Sequence, residues 1–238
     1  MQLDGWLGGR RRQILLRSDR RSIRLHIQGW GRFALHRDGG LRLPPAAPPA
    51  VVADALCGPL LPLALAWRDI FLLHGAALLT PRGLLLLLGD SGAGKSTLTQ
   101  HLAGFAGTGI PWADDAVALD PQGRCPGPFP QPKWAGWKTR SHDATPPVLA
   151  VVCLKPHGPG ETAAAPVLAP LRGAEATLAL VRHTVSGRLF GPGWLARHLR
   201  WAGQLAAAGP PIFQLRYRRQ TANLDRMSEL LTNLWRGA

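Results

Sequence analysis

The chain has 238 residues, 46% of them hydrophobic, enough for one sizeable core with a small appended lobe. Its formal net charge is +14, from 28 Lys and Arg against 14 Asp and Glu. Much of that charge reads as compositional and the rest as attraction to an anionic partner such as ATP or an acidic peptide; because the arginines are scattered rather than banded, nucleic acid is not the expected partner.

Cys57, Cys125 and Cys153 are far apart and form neither a C-x-x-C nor a Cys/His cluster, so a disulfide framework and a zinc site are not expected. The stretch "MQLDGWLGG" has no basic-then-apolar signal layout, and "ALCGPLLPLALAW" carries two prolines and is short for a bilayer. A soluble, cytoplasmic protein without membrane partners is therefore expected.

Residues 13–43 alternate: Ile23, Leu25 and Ile27 oppose Arg24, His26 and Gln28, and "RDGG" supplies a hairpin turn. This predicts a small antiparallel sheet with one wet face. "PPAAPPA" at 44–50 reads as a stiff linker, and a division follows: a small β lobe with its linker over 1–49, and the main domain over 50–238. A helical stretch interrupted by Pro59 and Pro62 is expected over 50–68.

Beyond it the pattern is α/β. "IFLLHGAALLT" reads as one strand, "PRG" as a tight turn and "LLLLLG" as a fully buried strand. A helix is expected from Lys95 to Ala103, then two short strands in "IPWADDAVALD". Residues 121–147, rich in Pro and Gly, read as a loop. "VLAVVCLK" reads as a buried strand, followed by helices near 173–184 and 194–208, the strand "IFQLRYR" and a helix near 222–236.

Gly89, Asp90, Ser91, Gly92, Ala93, Gly94, Lys95 and Ser96 satisfy G-x-x-x-x-G-K-[ST] between a predicted strand and a predicted helix, with Thr97 following. Such glycines let successive N–H groups curl inward around phosphate, and the helix that follows adds the positive end of its dipole. Lys95 can reach the outer phosphates, and Ser96 can offer its hydroxyl to Mg²⁺. ATP with Mg²⁺ is the expected cofactor pair. The chain has neither the N-K-x-D of guanine readers nor the L-S-G-G-Q of ABC-type ATPases.

Two further features carry chemistry. Asp114 and Asp115 follow "IPWA"; one acid can hold metal and the other accept a proton from an attacking hydroxyl. In extended chain they would point opposite ways, so both can serve one site only if the backbone turns there; one of them as a turn residue is the alternative. His74 lies in the strand before the loop strand; a core histidine held by a backbone carbonyl is its plainer reading.

In that order, "HGAALL…GLLLLLGDSGAGKSTL…WADDAVAL" resembles the catalytic core of HPr kinase/phosphorylase, over about residues 70–120. The resemblance implies a P-loop on a mixed sheet of the phosphoenolpyruvate carboxykinase type. It implies that Gly89 to Ser96 bind phosphate with Ser96 on Mg²⁺, that Asp115 takes the proton from an acceptor serine, that Asp114 assists or binds metal, and that His74 stands near the reacting phosphate. The family's later Glu-Ile/Leu-Arg-Gly signature is absent; that region reads "KWAGWKTR". The chain looks more like shortened HPr-kinase-like proteins linked to ribosomal-peptide pathways, some of which phosphorylate a serine of a lasso-peptide precursor. The resemblance also leaves room for a homo-oligomer.

The expected activity is ATP-dependent transfer of a phosphoryl group to a Ser or Thr hydroxyl of a peptide or small protein. A small-molecule kinase and a non-catalytic nucleotide-binding module stay open. Lys133, Lys138 and Arg140 with Trp134 and Trp137 read either as a segment closing over phosphates or as a solvated loop. Arg182 and His183 read as helix-end residues, and Arg216, Arg218 and Arg219 as facing either an acidic peptide or water.

Overall fold

The computed structural model describes residues 2–7, 9–105, 109–127, 145–158 and 165–236. The fold is mixed α/β, with an antiparallel N-terminal sheet and a mixed sheet. The chain divides into two compact units: Met1–Asp69 with Ser186–Arg197, and Ile70–Val185 with His198–Ala238.

In the first unit, β1 (Gln2–Leu7), β2 (Arg10–Ser18), β3 (Ser22–Ile27), β4 (Gly31–His36) and β5 (Leu41–Arg42) form an antiparallel meander in chain order. Ile14, Leu16, Ile23, Leu25, Ile27 and Phe33 are buried, as the alternation predicts. The sheet starts earlier than expected because β1 pairs with β2 from Gln2↔Leu15 to Leu7↔Arg10. Its apolar face is hard to see in the sequence. Leu3 and Leu7 are separated on that face by Gly5, and a Cβ there would meet Ile14 Cδ1 at 2.7 Å.

The linker gives way to α1 (Pro49–Ala55), a π-helical turn (Leu56–Leu60) and α2 (Leu61–Ala66). Pro59, lacking an N–H, sits inside the π turn. The helical run Pro49–Ala66, with 18 residues and mean hydropathy 1.7, is long and apolar enough to cross a membrane by length and composition, and 33% of it is buried. It packs with the sheet, since a Cβ on Gly58 would lie 3.1 Å from Leu7 Cδ2.

The second unit is built on a six-stranded sheet. Its strands are β7 (Gly75–Thr80), β8 (Gly83–Leu88), β9 (Ile110–Ala113), β11 (Val148–Pro156), β12 (Val167–Leu171) and β13 (Ile212–Tyr217), in spatial order β12-β13-β11-β8-β7-β9. β8, β11 and β13 are parallel; the outer pairings are antiparallel. β8 occupies the middle, and all six of its residues are buried, which explains its unbroken leucine run. Each buried leucine contributes roughly 1.5–3 kcal/mol to holding that centre.

One expectation is corrected. "IFLLHGAALLT" is two strands: β6 (Phe71–Leu73) pairs with β10 (Val117–Leu119) in a separate two-stranded sheet, and β7 joins the large one. His74 stands at the break. Gly75 lets β7 begin against β8, because a Cβ there would approach the Leu87 carbonyl oxygen to 2.8 Å.

On one face of the large sheet, α3 (Lys95–Phe105) and α6 (Asn223–Arg236) pack Leu98, Leu102, Met227, Leu231 and Trp235 against Leu85, Leu87, Val152 and Leu215. The helix α4 (Gly173–Arg182) and the part of α5 (Pro192–Ala208) from His198 onward complete the unit. Within α5, Trp201 is buried and its Nε1 donates to the Asp120 carbonyl at 3.2 Å.

Candidate functional site

The buried strand β8 ends at Leu88, and α3 starts seven residues later at Lys95. Between them the chain must turn back on itself. Gly92 at φ +76° and Gly94 at φ +88° adopt backbone that other residues rarely enter. Gly89 has little room for a side chain, since a Cβ would lie 3.2 Å from the Leu154 carbonyl oxygen of β11. Within the turn Ala93 N–H donates to the Asp90 carbonyl at 3.0 Å. From β13 the Tyr217 hydroxyl donates to the Ala93 carbonyl, and burial pushes its pKa up to about 12, so it stays a donor. The first-turn N–H groups of α3 have no preceding helical carbonyls, so they and the helix dipole face whatever the loop encloses.

Lys95 is 6% exposed, unusual for a lysine. Its Nζ donates to the Gly89 carbonyl at 2.8 Å and the Asp90 carbonyl at 3.1 Å, and lies 3.0 Å from His74 Nε2. Burial pulls its pKa down, while Asp115, Asp114 and Asp90, in that order, pull it back up. Both members of the aspartate pair therefore act on this ammonium. Facing an ammonium, His74 Nε2 must accept, which leaves the ring proton on Nδ1; that nitrogen is 3.1 Å from the Asp115 carbonyl, its acceptor. His74 thus ties the lysine to the segment carrying the aspartates. The backbone N–H of His74 donates to the His183 carbonyl at 2.6 Å, which fixes the strand break from the end of α4.

The aspartates lie just beyond β9. Ser96 Oγ is 2.7 Å and 2.8 Å from the two carboxylate oxygens of Asp114, joining the first turn of α3 to the end of β9. Asp115 follows with φ +64°, a left-handed conformation that aspartate tolerates better than most residues. The extended chain ends there, so the strict alternation that would separate the two carboxylates no longer applies.

Thus His74, Lys95, Ser96, Asp114 and Asp115, drawn from three segments, come together. Asp90 instead turns outward, its carboxylate 2.6 Å from the Arg182 guanidinium. Ser91, Gly92 and Thr97 are exposed. The cations Lys133, Lys138 and Arg140 with their neighbouring tryptophans lie outside the described residues. Sequence reasoning missed Tyr217 as a prop of the loop. Its position two residues past Leu215, on the buried face of β13, was the available signal. His183 was read as a helix-end residue. It lies closer to the loop than that, with a pKa lowered to about 4, chiefly by burial, and is influenced by Asp90, Arg182, Lys95 and His74.

The arrangement offers a curled backbone for phosphate oxygens, a buried ammonium, and a hydroxyl–carboxylate pair. Among the described residues no group of three or more His, Cys, Asp or Glu side chains could hold a metal. Ser96 and Asp114 supply one hydroxyl and one carboxylate, the sparse oxygen donor set that suits Mg²⁺ completed by phosphate and water, not a dedicated cage. Comparison with models of known protein families and with curated proteins gives no match.

Proposed function

We propose that the chain is a kinase that transfers the γ-phosphoryl group of ATP, as its magnesium complex, to a serine or threonine hydroxyl of a peptide or small protein. In this reading it is an HPr-kinase-like protein, with residues 89–96 as its P-loop on a carboxykinase-type mixed sheet, working in the cytoplasm. The observation that carries the reading is the convergence of His74, Lys95, Ser96, Asp114 and Asp115 around the glycine-rich turn. A turn that merely linked strand to helix would not need a buried lysine and two carboxylates beside it.

Mg·ATP supplies the phosphoryl group and neutralises its charge. The chain's part is positioning and proton handling. The loop N–H groups and Lys95 hold phosphate oxygens, and Lys95 exchanges its carbonyl partners for them without leaving its place. Ser96 and Asp114 would hold the metal. Asp115 takes the proton from the attacking hydroxyl, an effect worth about 10²–10⁴ in rate. His74, touching both Lys95 and the Asp115 backbone, keeps base and cation in register.

Labelled ATP with Mg²⁺ and a panel of serine-containing peptides tests this. Labelled phosphopeptide is expected. Tight nucleotide binding with no label on any peptide, protein or metabolite fraction would instead leave a nucleotide-binding module.

A further inference from the structure

The wet face of the N-terminal sheet gathers arginines that the sequence scatters. Strand register sets Arg17 of β2 opposite Arg24 of β3, Arg24 opposite Ala34 of β4, and Ala34 opposite Arg42 of β5. In the next pair on that face His26 lies opposite Arg32. Ile23, Leu25 and Phe33 point to the other face and are buried, while these arginines stand in solvent. The Arg37 N–H donates to the Arg21 carbonyl at 2.9 Å, which holds the turn after β4 against the turn before β3. Like charges directly opposite each other repel, so Arg17 beside Arg24 is unfavourable in the absence of an anion.

In the middle of the row Ala34 leaves a gap among long side chains. A concavity of about 620 Å³ opens there, lined by Ala34 with Arg20, Arg21, Arg24, His36 and Arg42. Its one acid is Asp19, and both oxygens of that carboxylate are in use. Oδ1 accepts from the Arg21 and Ser22 N–H groups, each at 2.8 Å, and Oδ2 pairs with Arg24. The side chains of Arg17, Arg20, Arg21, Arg32, Arg37 and Arg42 make no ion pair or hydrogen bond among the described residues. The other acids of this part of the chain are placed: Asp4 pairs with Arg11, Asp38 accepts from the Gly40 N–H, and Asp69 pairs with Arg197. Of the 14 acids in the sequence only Asp143 and Glu161 lie outside the described residues, too few to answer these arginines.

Among the described side chains Leu15 is the one large hydrophobic exposed on this face. A peptide or a small organic ligand would find few apolar contacts there. A phosphodiester chain needs none, because a guanidinium meets each phosphate with two charge-assisted hydrogen bonds. The gap over Ala34 spans two strand spacings, from β3 to β5, or about 10 Å. That is room for the backbone of one strand, not for a duplex whose major groove alone is about 12 Å wide. The expectation against nucleic acid rested on scatter along the chain, and strand pairing removes that scatter.

We propose that this face binds single-stranded nucleic acid through its phosphate backbone, without reading sequence, with Arg17, Arg20, Arg21 and Arg42 as the phosphate-holding cations. The site lies within residues 17–42 and does not depend on the kinase reading.

The test uses the full chain, without nucleotide, and a fluorescein-labelled oligouridine of about twelve nucleotides, read by anisotropy. Contacts to three or four phosphates predict a slope of about −2 to −3 in log affinity against log salt. Arg17→Gln/Arg42→Gln and Arg20→Gln/Arg21→Gln should each weaken binding at least about tenfold and make that slope shallower by about 1.4. These arginines are exposed, so the fold tolerates the changes; melting temperature checks it. Ala34→Glu sets a carboxylate between Arg24 and Arg42 and should abolish binding, whereas Ala34→Gln fills the same space and should keep most of it.

Arg226→Gln/Arg236→Gln on α6 removes the same charge elsewhere and should change affinity less than about twofold. An equal loss in that variant would mean attraction by overall charge alone, and would overturn the proposal. Polyglutamate competing as well as unlabelled oligouridine, or tighter binding of a duplex of the same length, overturns it too. Displacement of the oligonucleotide by Mg·ATP would place it in the glycine-rich loop and not on the sheet, with the same consequence.

Discussion

Asp115 allows its backbone and its carboxylate to be tested apart. At φ +64° it occupies a region that costs an ordinary L-residue about 1–2 kcal/mol, less for Asn and nothing for Gly. Asp115→Asn keeps shape and tolerates the conformation but cannot take a proton as a carboxylate does. Asp115→Ala loses the carboxylate and acquires the strain. Asp115→Gly loses the carboxylate but relieves the strain, at some cost in unfolded-chain entropy. In a chain of this length 1 kcal/mol moves the melting temperature by about 2–4 °C. Asp115→Ala should therefore melt about 2–8 °C below the parent, with Asn and Gly nearer to it.

Activity should order differently. All three variants lack the proposed base and should lose about 10²–10⁴ in kcat, or about 2.7–5.5 kcal/mol of barrier, whatever their melting temperature. The assay is single-turnover transfer from labelled ATP to whichever peptide of the panel is most labelled by the parent, with nucleotide affinity measured in parallel. Affinity should change little, because the proposed triphosphate seat is the loop and not residue 115. Two results would refute the reasoning: Asn retaining parental kcat, or losses that track melting temperature. Either would mean that residue 115 matters for its turn and not for its carboxylate.

Three other perturbations probe the same construction. Gly75→Ala drives a Cβ to 2.8 Å from the Leu87 carbonyl, and should destabilise by about 1–3 kcal/mol in chemical denaturation while lowering nucleotide affinity through displacement of His74. Ser96→Ala removes the hydroxyl bound to Asp114; the gain in nucleotide affinity on adding Mg²⁺ over EDTA should largely vanish, with melting nearly unchanged because the site is partly open to water. His183 and His198 have pKa values lowered by burial to about 4, from 6.5. The unfolded chain therefore takes up protons that the folded one refuses, so stability should fall as pH drops from 6.5 to 4 and level off below. Replacing either histidine by Asn should flatten that slope in pH-dependent denaturant titrations.

The turn between β8 and α3 was legible because glycines stand where the backbone curls, at Gly92 and Gly94, between an apolar run and the start of a helix. The central strand was legible because β8, buried on both faces, has no use for a polar residue. β1 was not, since Gly5 erases its alternation and only the partner residue Ile14 explains the gap. The pairing of β11 with β13 was not legible. Lys155 and Arg216 are 61 residues apart and become neighbours only through a parallel pairing across α4 and α5, which no local pattern records.

His74 illustrates most directly why a local reading stopped short. Within "FLLHGAAL" it looks like one more strand residue, and nothing in the apolar pattern marks a boundary. The break arises because Phe71–Leu73 pairs with Val117–Leu119 while Gly75–Thr80 pairs with Gly83–Leu88 and with β9. Those two pairings pull the chain toward different sheets, and the residue between them belongs to neither ladder. The segment Asp114–Ala116 bridges the same gap from the other side, between β9 in the large sheet and β10 in the small one. Histidine and aspartates therefore meet where two strands each change sheet, close to the start of α3. A continuous strand over 70–80 would have kept His74 in a ladder and left Lys95 without its third partner. The catalytic arrangement proposed here thus depends on the break as much as on the glycine-rich loop.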